Sequence, residues 1–128
     1  MPRVIHFEIH ATNPLELIPF YESLFGWTLT RFIPEVEYWT IVTGTDDQPG
    51  INGGLVKRQG PAPVEMQSVS GSVCTVQVES VDEILAKNAE LGGSVALPKM
   101  PIPGIGWLAY IKDLDGNILG IMNPDPTA

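Results

Sequence analysis

The chain has 128 residues, 44% of them apolar, enough for one domain with a buried core. Seven basic against fifteen acidic residues leave a net charge of −8. So few scattered Lys and Arg make no phosphate-binding patch, which excludes nucleic acid and an anionic membrane surface as partners.

Val4 to His10 alternates, with Ile5, Phe7 and Ile9 set against His6, Glu8 and His10. Strand side chains point alternately to opposite faces, so this segment predicts a strand with an apolar row and a His-x-Glu-x-His row. A helix follows. Asn13 stands at the N-cap position, Pro14 has the φ of a first helical residue, and Glu16 completes a capping-box spacing. Leu17, Phe20, Tyr21 and Leu24 recur at helical spacing, and Gly26 suits a left-handed stop. Pro19 falls inside this pattern and predicts a kink or a later helix start.

Short strands are predicted over Thr28–Phe32 and Tyr38–Thr43, with a turn at Thr45–Gly50. Ile51–Lys57 reads as a strand loosened by Gly53 and Gly54. Gln59 to Ser72 is Pro- and Gly-rich and reads as a linker. In the predicted strand Val73–Val78, alternation puts Cys74 on the apolar side as a packed thiol. It is the single cysteine, so no internal disulfide framework exists and a reducing compartment fits. With no leader-like start and no apolar run of membrane length, the expected location is cytoplasmic.

Ser80-x-x-Glu83 is a capping box for a second helix carrying Val81, Ile84, Leu85 and Leu91, closed by Gly92 and Gly93. A short strand at Val95–Leu97 precedes a Pro/Gly loop, Lys99–Gly106, whose PIPGIG segment (101–106) is a candidate lid or rim. Trp107–Lys112 and Ile118–Met122 form a hairpin across Asp113–Asn117, where Asp-Gly signals the turn, and a polar tail follows.

The two halves repeat. A shift of 67 residues places Asn13 on Ser80, Glu16 on Glu83, Leu24 on Leu91 and Gly26 on Gly93. A shift of 66 places Gly50 on Gly116, Gly54 on Gly120 and Leu55 on Ile121. Each half reads strand, helix, three strands. The expected fold is therefore α+β, with two tandem βαβββ modules forming one curved mixed sheet and helices on its convex face. Residues 1–128 form a single domain, with module 1 at about 3–58, the linker at 59–72 and module 2 at about 73–124.

This duplication, the F-Y-x-x-L-F-G-W run ending at Trp27 and the D-x-D-G-N turn at Asp113–Asn117 resemble the vicinal oxygen chelate superfamily. That is the group of glyoxalase I, bleomycin-resistance proteins and extradiol dioxygenases. The resemblance covers roughly Arg3 to Pro124 and implies a homodimer. It also implies a concave cavity where metal-dependent members hold a divalent ion on two side chains from each module. Carried over by register, those positions are His6, Gly54, Val73 and Gly120. Only His6 can ligate through its side chain, whereas a catalytic ion ordinarily needs about three protein ligands. No metal cofactor is therefore expected.

His6 and Glu8 are the candidate catalytic pair. A carboxylate beside an imidazole holds it in one tautomer and supports general acid or base work near neutral pH. The plainer alternative is a pair that hydrogen-bonds each other and orients a ligand, with His10 solvated near the strand end. Tyr38, Trp39, Trp107 and Tyr110 are candidate aromatic walls, and one of Tyr38 and Trp39 must face inward. Asn52, Gly54, Gly120 and Met122 complete the candidate ligand-binding set.

The expected function is binding of a small organic molecule. The competing reading is a metal-dependent lyase, isomerase or dioxygenase in which Glu8, His10 or a second subunit completes a site at His6. A third is an accessory or interaction module whose cavity is filled by side chains.

Overall fold

A computed structural model describes residues 3–69 and 71–128; Ser70, within the predicted linker, lies outside the described residues. The chain divides between Ala62 and Pro63 into two compact units.

The first unit contains β1 (Phe7–Ala11), α1 (Pro14–Phe25), β2 (Thr28–Arg31), β3 (Tyr38–Val42) and β4 (Gly53–Lys57). Its sheet runs β1-β4-β3-β2, with β1 parallel to β4 and the other pairs antiparallel. The Asn13 carbonyl accepts from the Glu16 and Leu17 amides to start α1. Gly26 closes the helix at φ 72°, its amide bonded to the Glu22 carbonyl. Pro19 neither delays nor divides α1. It sits on the exposed side, and Leu15, whose carbonyl loses the amide partner, is 75% exposed, so water can satisfy that oxygen. Leu17, Phe20, Tyr21 and Leu24 are buried, as are Ile9, Ala11, Leu29, Trp39, Ile41 and Leu55 on the strands. Each Leu, Ile or Phe among them contributes about 1.5–3 kcal/mol by burial. Trp27 extends this core, its ring stacked 5.4 Å from that of Tyr21.

The second unit repeats the order: β5 (Thr75–Gln77), α2 (Val81–Glu90), β6 (Ser94–Ile102), β7 (Gly106–Lys112) and β8 (Ile118–Pro124). Its sheet runs β5-β8-β7-β6, again with the first pair parallel and the others antiparallel. Ser80 caps α2, its hydroxyl accepting from the Glu83 amide at 3.2 Å. The Asp113 carboxylate ties the β7–β8 turn, accepting from the Asp115 and Asn117 amides at 2.8 and 2.9 Å. The architecture is the expected α+β pair of βαβββ modules, with the hydrogen-bonded pairing running as two four-stranded mixed sheets, one per module.

Three local expectations fail. The first strand starts at Phe7 rather than Val4, because pairing with β4 begins only at Phe7↔Gly53, and Ile5 is left 81% exposed. Cys74 is exposed rather than packed, since β5 shrinks to three residues and begins just after it. The predicted loop Lys99–Gly106 is mostly strand. β6 runs on through Ile102, pairing Met100↔Leu108, Pro101↔Trp107 and Ile102↔Gly106 across register shifts. β6 is an edge strand, where proline's missing donor is tolerated. What remains is a tight turn with Gly104 at φ 75° and the Ile105 amide bonded to the Ile102 carbonyl.

Candidate functional site

In the first module, alternation divides the sheet into two faces. Ile9, Leu55, Ile41 and Leu29 are buried on the face that α1 covers. The register Glu8↔Gly54, Gly54↔Thr40 and Thr40↔Thr30 places the intervening residues in one row across the helix-free face. Tyr38 shares that face, while its neighbour Trp39 is 5% exposed in the core with the Arg31 guanidinium 5.0 Å from its ring. Of the pair, Trp39 is packed in the core and so does not form the candidate aromatic wall, while Tyr38 lies on the helix-free face.

His6 precedes β1 and sends Nε2 to within 2.9 Å of the Tyr38 hydroxyl. Its distance to the nearer Glu8 carboxylate oxygen is 4.0 Å, so the hydrogen bond expected between His6 and Glu8 goes to Tyr38 instead. The other Glu8 oxygen lies 3.6 Å from His10 Nε2. All three side chains are about half exposed. His10 is held through its backbone, whose carbonyl accepts from Arg58 Nη2 at 2.7 Å, while Lys57 Nζ donates to the Thr12 carbonyl at 2.6 Å. The end of β1 is therefore clamped by the residues that end β4. Burial first, and then the Glu8 carboxylate, push the Tyr38 phenol above its ordinary range, so it keeps its proton at neutral pH.

Gly54 explains why Tyr38 can lie there. A Cβ on Gly54 would fall on the Tyr38 hydroxyl and its ring carbon. The volume that a Gly54 side chain would take is filled by a phenol from the neighbouring strand. In the second module Gly120 is packed similarly: a Cβ there would come within 2.6 Å of Thr75 Oγ1 and 3.2 Å of Tyr110 Cε1. The row Thr75, Gly120 and Tyr110 on β5, β8 and β7 corresponds to Glu8, Gly54 and Thr40. Met122, paired with Leu108 and Gln77, shares that face with Tyr110.

Two other candidates serve as braces. Trp107 is on the opposite face, its indole Nε1 donating to Asp125 Oδ2 at 3.1 Å while Lys99 Nζ lies 4.7 Å from its ring. Lys99 also pairs with Asp82 of α2 at 2.9 Å. Asp125 further accepts from the Thr127 hydroxyl and amide, and these bonds hold its carboxyl below the usual range, the Thr127 hydroxyl having the largest effect. The C-terminal residues are thus folded back onto the β6–β7 turn, with the Asp125 amide bonded to the Ile105 carbonyl. Asn52 precedes β4 and accepts from the Thr43 amide at 3.0 Å. It borders a polar depression of about 150 Å³ in the β3–β4 turn that includes Thr43, Asp46, Gln48 and Gly50 but none of His6, Glu8 and Tyr38.

Residue-by-residue reading of the sequence missed the Tyr38–His6 bond and the flanking Phe32. The Phe32 ring meets that of Tyr38 edge-on at 6.3 Å and is itself 62% exposed. The parity of Thr28, Thr30 and Phe32 carried the signal, because it puts Phe32 on the face that Tyr38 takes.

The residues present do not fit the divalent ion of metal-dependent superfamily members. Of the four carried-over positions only His6 offers a ligand, and the space over Gly54 holds the Tyr38 hydroxyl. Among the described residues, no group of three or more His, Cys, Asp and Glu side chains is arranged to hold a metal ion. No helix of the described residues is long and apolar enough to cross a membrane.

No protein-family model matches the sequence, and no curated protein does. Solved structures do match. The fosfomycin resistance protein FosX from Listeria monocytogenes aligns at TM-score 0.72 and 15% identity, over 98% of this chain and 95% of that one. A glyoxalase/bleomycin resistance protein/dioxygenase family enzyme from Burkholderia phytofirmans PsJN aligns at TM-score 0.72 and 15% identity, over 94% and 97%. TioX from Micromonospora sp. ML1 aligns at TM-score 0.65 and 19% identity, over 97% and 100%. One FosX structure is complexed with Mn(II) and sulfate ion. With both modules matched along nearly their whole length, the chain has the fold of the vicinal oxygen chelate superfamily.

Proposed function

We propose that this protein binds a small organic molecule on the helix-free face of module 1, as a binder of the glyoxalase/bleomycin-resistance type that works without the superfamily's metal site. The observation that carries this reading is the Tyr38 hydroxyl, bonded to His6 and filling the space over Gly54. Together with Glu8 it offers a ligand polar anchors of three chemical kinds, beside an exposed aromatic wall at Phe32. Tyr110, Gly120 and Met122 supply the corresponding, less polar face of module 2. A cytoplasmic location and a homodimer belong to the same proposal, the first supported by the free, exposed Cys74 and the second by the fold alone.

Elemental analysis of protein purified without chelator, followed by thermal-shift screening of metabolites and antibiotics, tests the reading. The expected result is metal far below one ion per chain and a rise in melting temperature with at least one organic ligand, since a ligand that binds only the folded state must stabilise it. Stoichiometric manganese or zinc, lost in His6→Ala, would reverse the conclusion in favour of a metal-dependent lyase, isomerase or dioxygenase.

A further inference from the structure

Resting on that binding role, we propose that Tyr38 is the hydrogen-bond donor that holds the ligand's oxygen, and that the ligand is a neutral organic molecule carrying a carbonyl group. A phenol has one proton to donate and two lone pairs to accept with. His6 Nε2 lies 2.9 Å from the Tyr38 oxygen, and a Glu8 carboxylate oxygen is 4.0 Å from the same nitrogen. Nε2 faces both of these oxygens, so the neutral tautomer that carries its hydrogen there turns it toward both. His6 N–H then donates to the Tyr38 oxygen, and the phenolic proton is left pointing away from His6. Donors in series polarise one another, so the terminal O–H is a better donor than an isolated phenol.

The charge sign selects the acceptor. Glu8 sits in the same cluster and repels a carboxylate or phosphate, whereas a neutral carbonyl oxygen has no such opposition. The body of the ligand is selected next door. The Phe32 ring meets Tyr38 edge-on at 6.3 Å and leaves 62% of its surface exposed, a platform for an aromatic or aliphatic group bonded to that carbonyl. On the other side the phenol lies over the buried Gly54 backbone, where no Cβ would fit, so the hydroxyl is held in place. Thus Tyr38 occupies the space that a Gly54 side chain would take and presents a proton to the ligand's oxygen.

The test is a pair of probes alike in shape that differ in the oxygen. Isotope-labelled full-length protein is titrated with acetophenone and, separately, with ethylbenzene, following the amide signals of Gly54 and Thr40. The wild type is expected to bind acetophenone about three- to tenfold more tightly, the range of one net hydrogen bond. Tyr38→Phe should bind both probes with equal affinity and keep its melting temperature within a few degrees. Phe32→Ala should weaken both probes by the same factor and retain the preference. Equal binding of the two probes by the wild type, or a preference that survives in Tyr38→Phe, overturns the donor role while leaving ligand binding on this face intact. Failure of both probes to move these signals overturns the donor role and the binding role together.

Discussion

Tyr21 and Asn88 correspond under the repeat and lie near the C-terminal ends of α1 and α2, and both are fully buried. Around Tyr21 the packing is aromatic, with Phe20, Phe25 and Trp27 rings at 5.1, 6.2 and 5.4 Å. The 67-residue shift that carries Tyr21 to Asn88 also carries Trp27 to Ser94. There a hydrogen bond replaces the stack: Asn88 Nδ2 donates to the Ser94 carbonyl at 3.1 Å. Asn88 Oδ1 is buried and accepts no hydrogen bond from the described residues, and Gly93 is so close that it has no room for a Cβ. One scaffold thus tolerates two solutions at its helix–sheet junction, one by dispersion and area, the other by a polar clip. The helix-free faces differ in the reverse sense. Module 1 carries His6, Glu8, His10 and Tyr38, while module 2 has Val73 and Thr75 where His6 and Glu8 stand. The module with the apolar junction is the one equipped for polar chemistry.

Truncating the two junctions separates them most sharply. Tyr21→Ala is expected to cost about 3–5 kcal/mol, as aromatic truncations in cores do. Asn88→Ala should cost about 1 kcal/mol or less, because the lost hydrogen bond is offset by removal of an acceptor that no amide or hydroxyl reaches. Denaturant unfolding of each variant measures both, and equal losses would remove the distinction.

Next in size is Gly54→Ala. The new methyl group must displace the Tyr38 ring, at a cost of about 1–3 kcal/mol for overpacking. The His6–Tyr38 bond is expected to break with it, visible as a changed His6 ring signal by NMR. The corresponding Gly120→Ala meets Thr75 and the edge of Tyr110 at longer range, and should cost less.

The smallest effects are electrostatic and lie at opposite ends of the pH scale. The Tyr38 phenol is raised in the folded protein above its unfolded value of about 10. The folded state therefore holds the proton more tightly, and this contribution is complete below about pH 10 and is lost as pH rises through the higher folded value. Tyrosine absorbance should show the Tyr38 phase moving to lower pH in Glu8→Gln, and Tyr38→Phe should remove that phase of alkaline destabilisation. Asp125 is lowered, so its contribution is present above the ordinary carboxylate value and is lost as pH falls through the lower folded one. Asp125→Asn should flatten that acid phase, read from Trp107 fluorescence.

Much of the scaffold was legible because its signals are local. The side-chain cap at Ser80, the stop at Gly26 and the Asp-Gly turn at Gly116 each depend on a few adjacent residues, and each is found where expected, whereas Asn13 stands at the N-cap position of α1 without the side-chain cap bond its spacing predicted. The repeat made the strand order readable twice. Boundaries failed where a distant partner decides them: β1 begins where β4 can receive it, and β6 continues through two prolines because it has a neighbour on one side only.

At the candidate site the sequence by itself determined which side chains share a face, since alternation along a strand has a period of two whatever the partner. It also shows that the positions the resemblance pairs with His6 are Gly54, Val73 and Gly120, none of which ligates through a side chain. Which group His6 bonds was decided by tertiary structure alone. Tyr38 is 32 residues away along the chain, brought close only when β3 pairs with β4 and β4 with β1. The missing Cβ at Gly54 then leaves the gap that its hydroxyl fills. Trp107 went the other way, because Asp125 reaches its indole only after the C-terminal residues fold back. A side chain's face is a property of its own strand, but its hydrogen-bond partner depends on which strands meet.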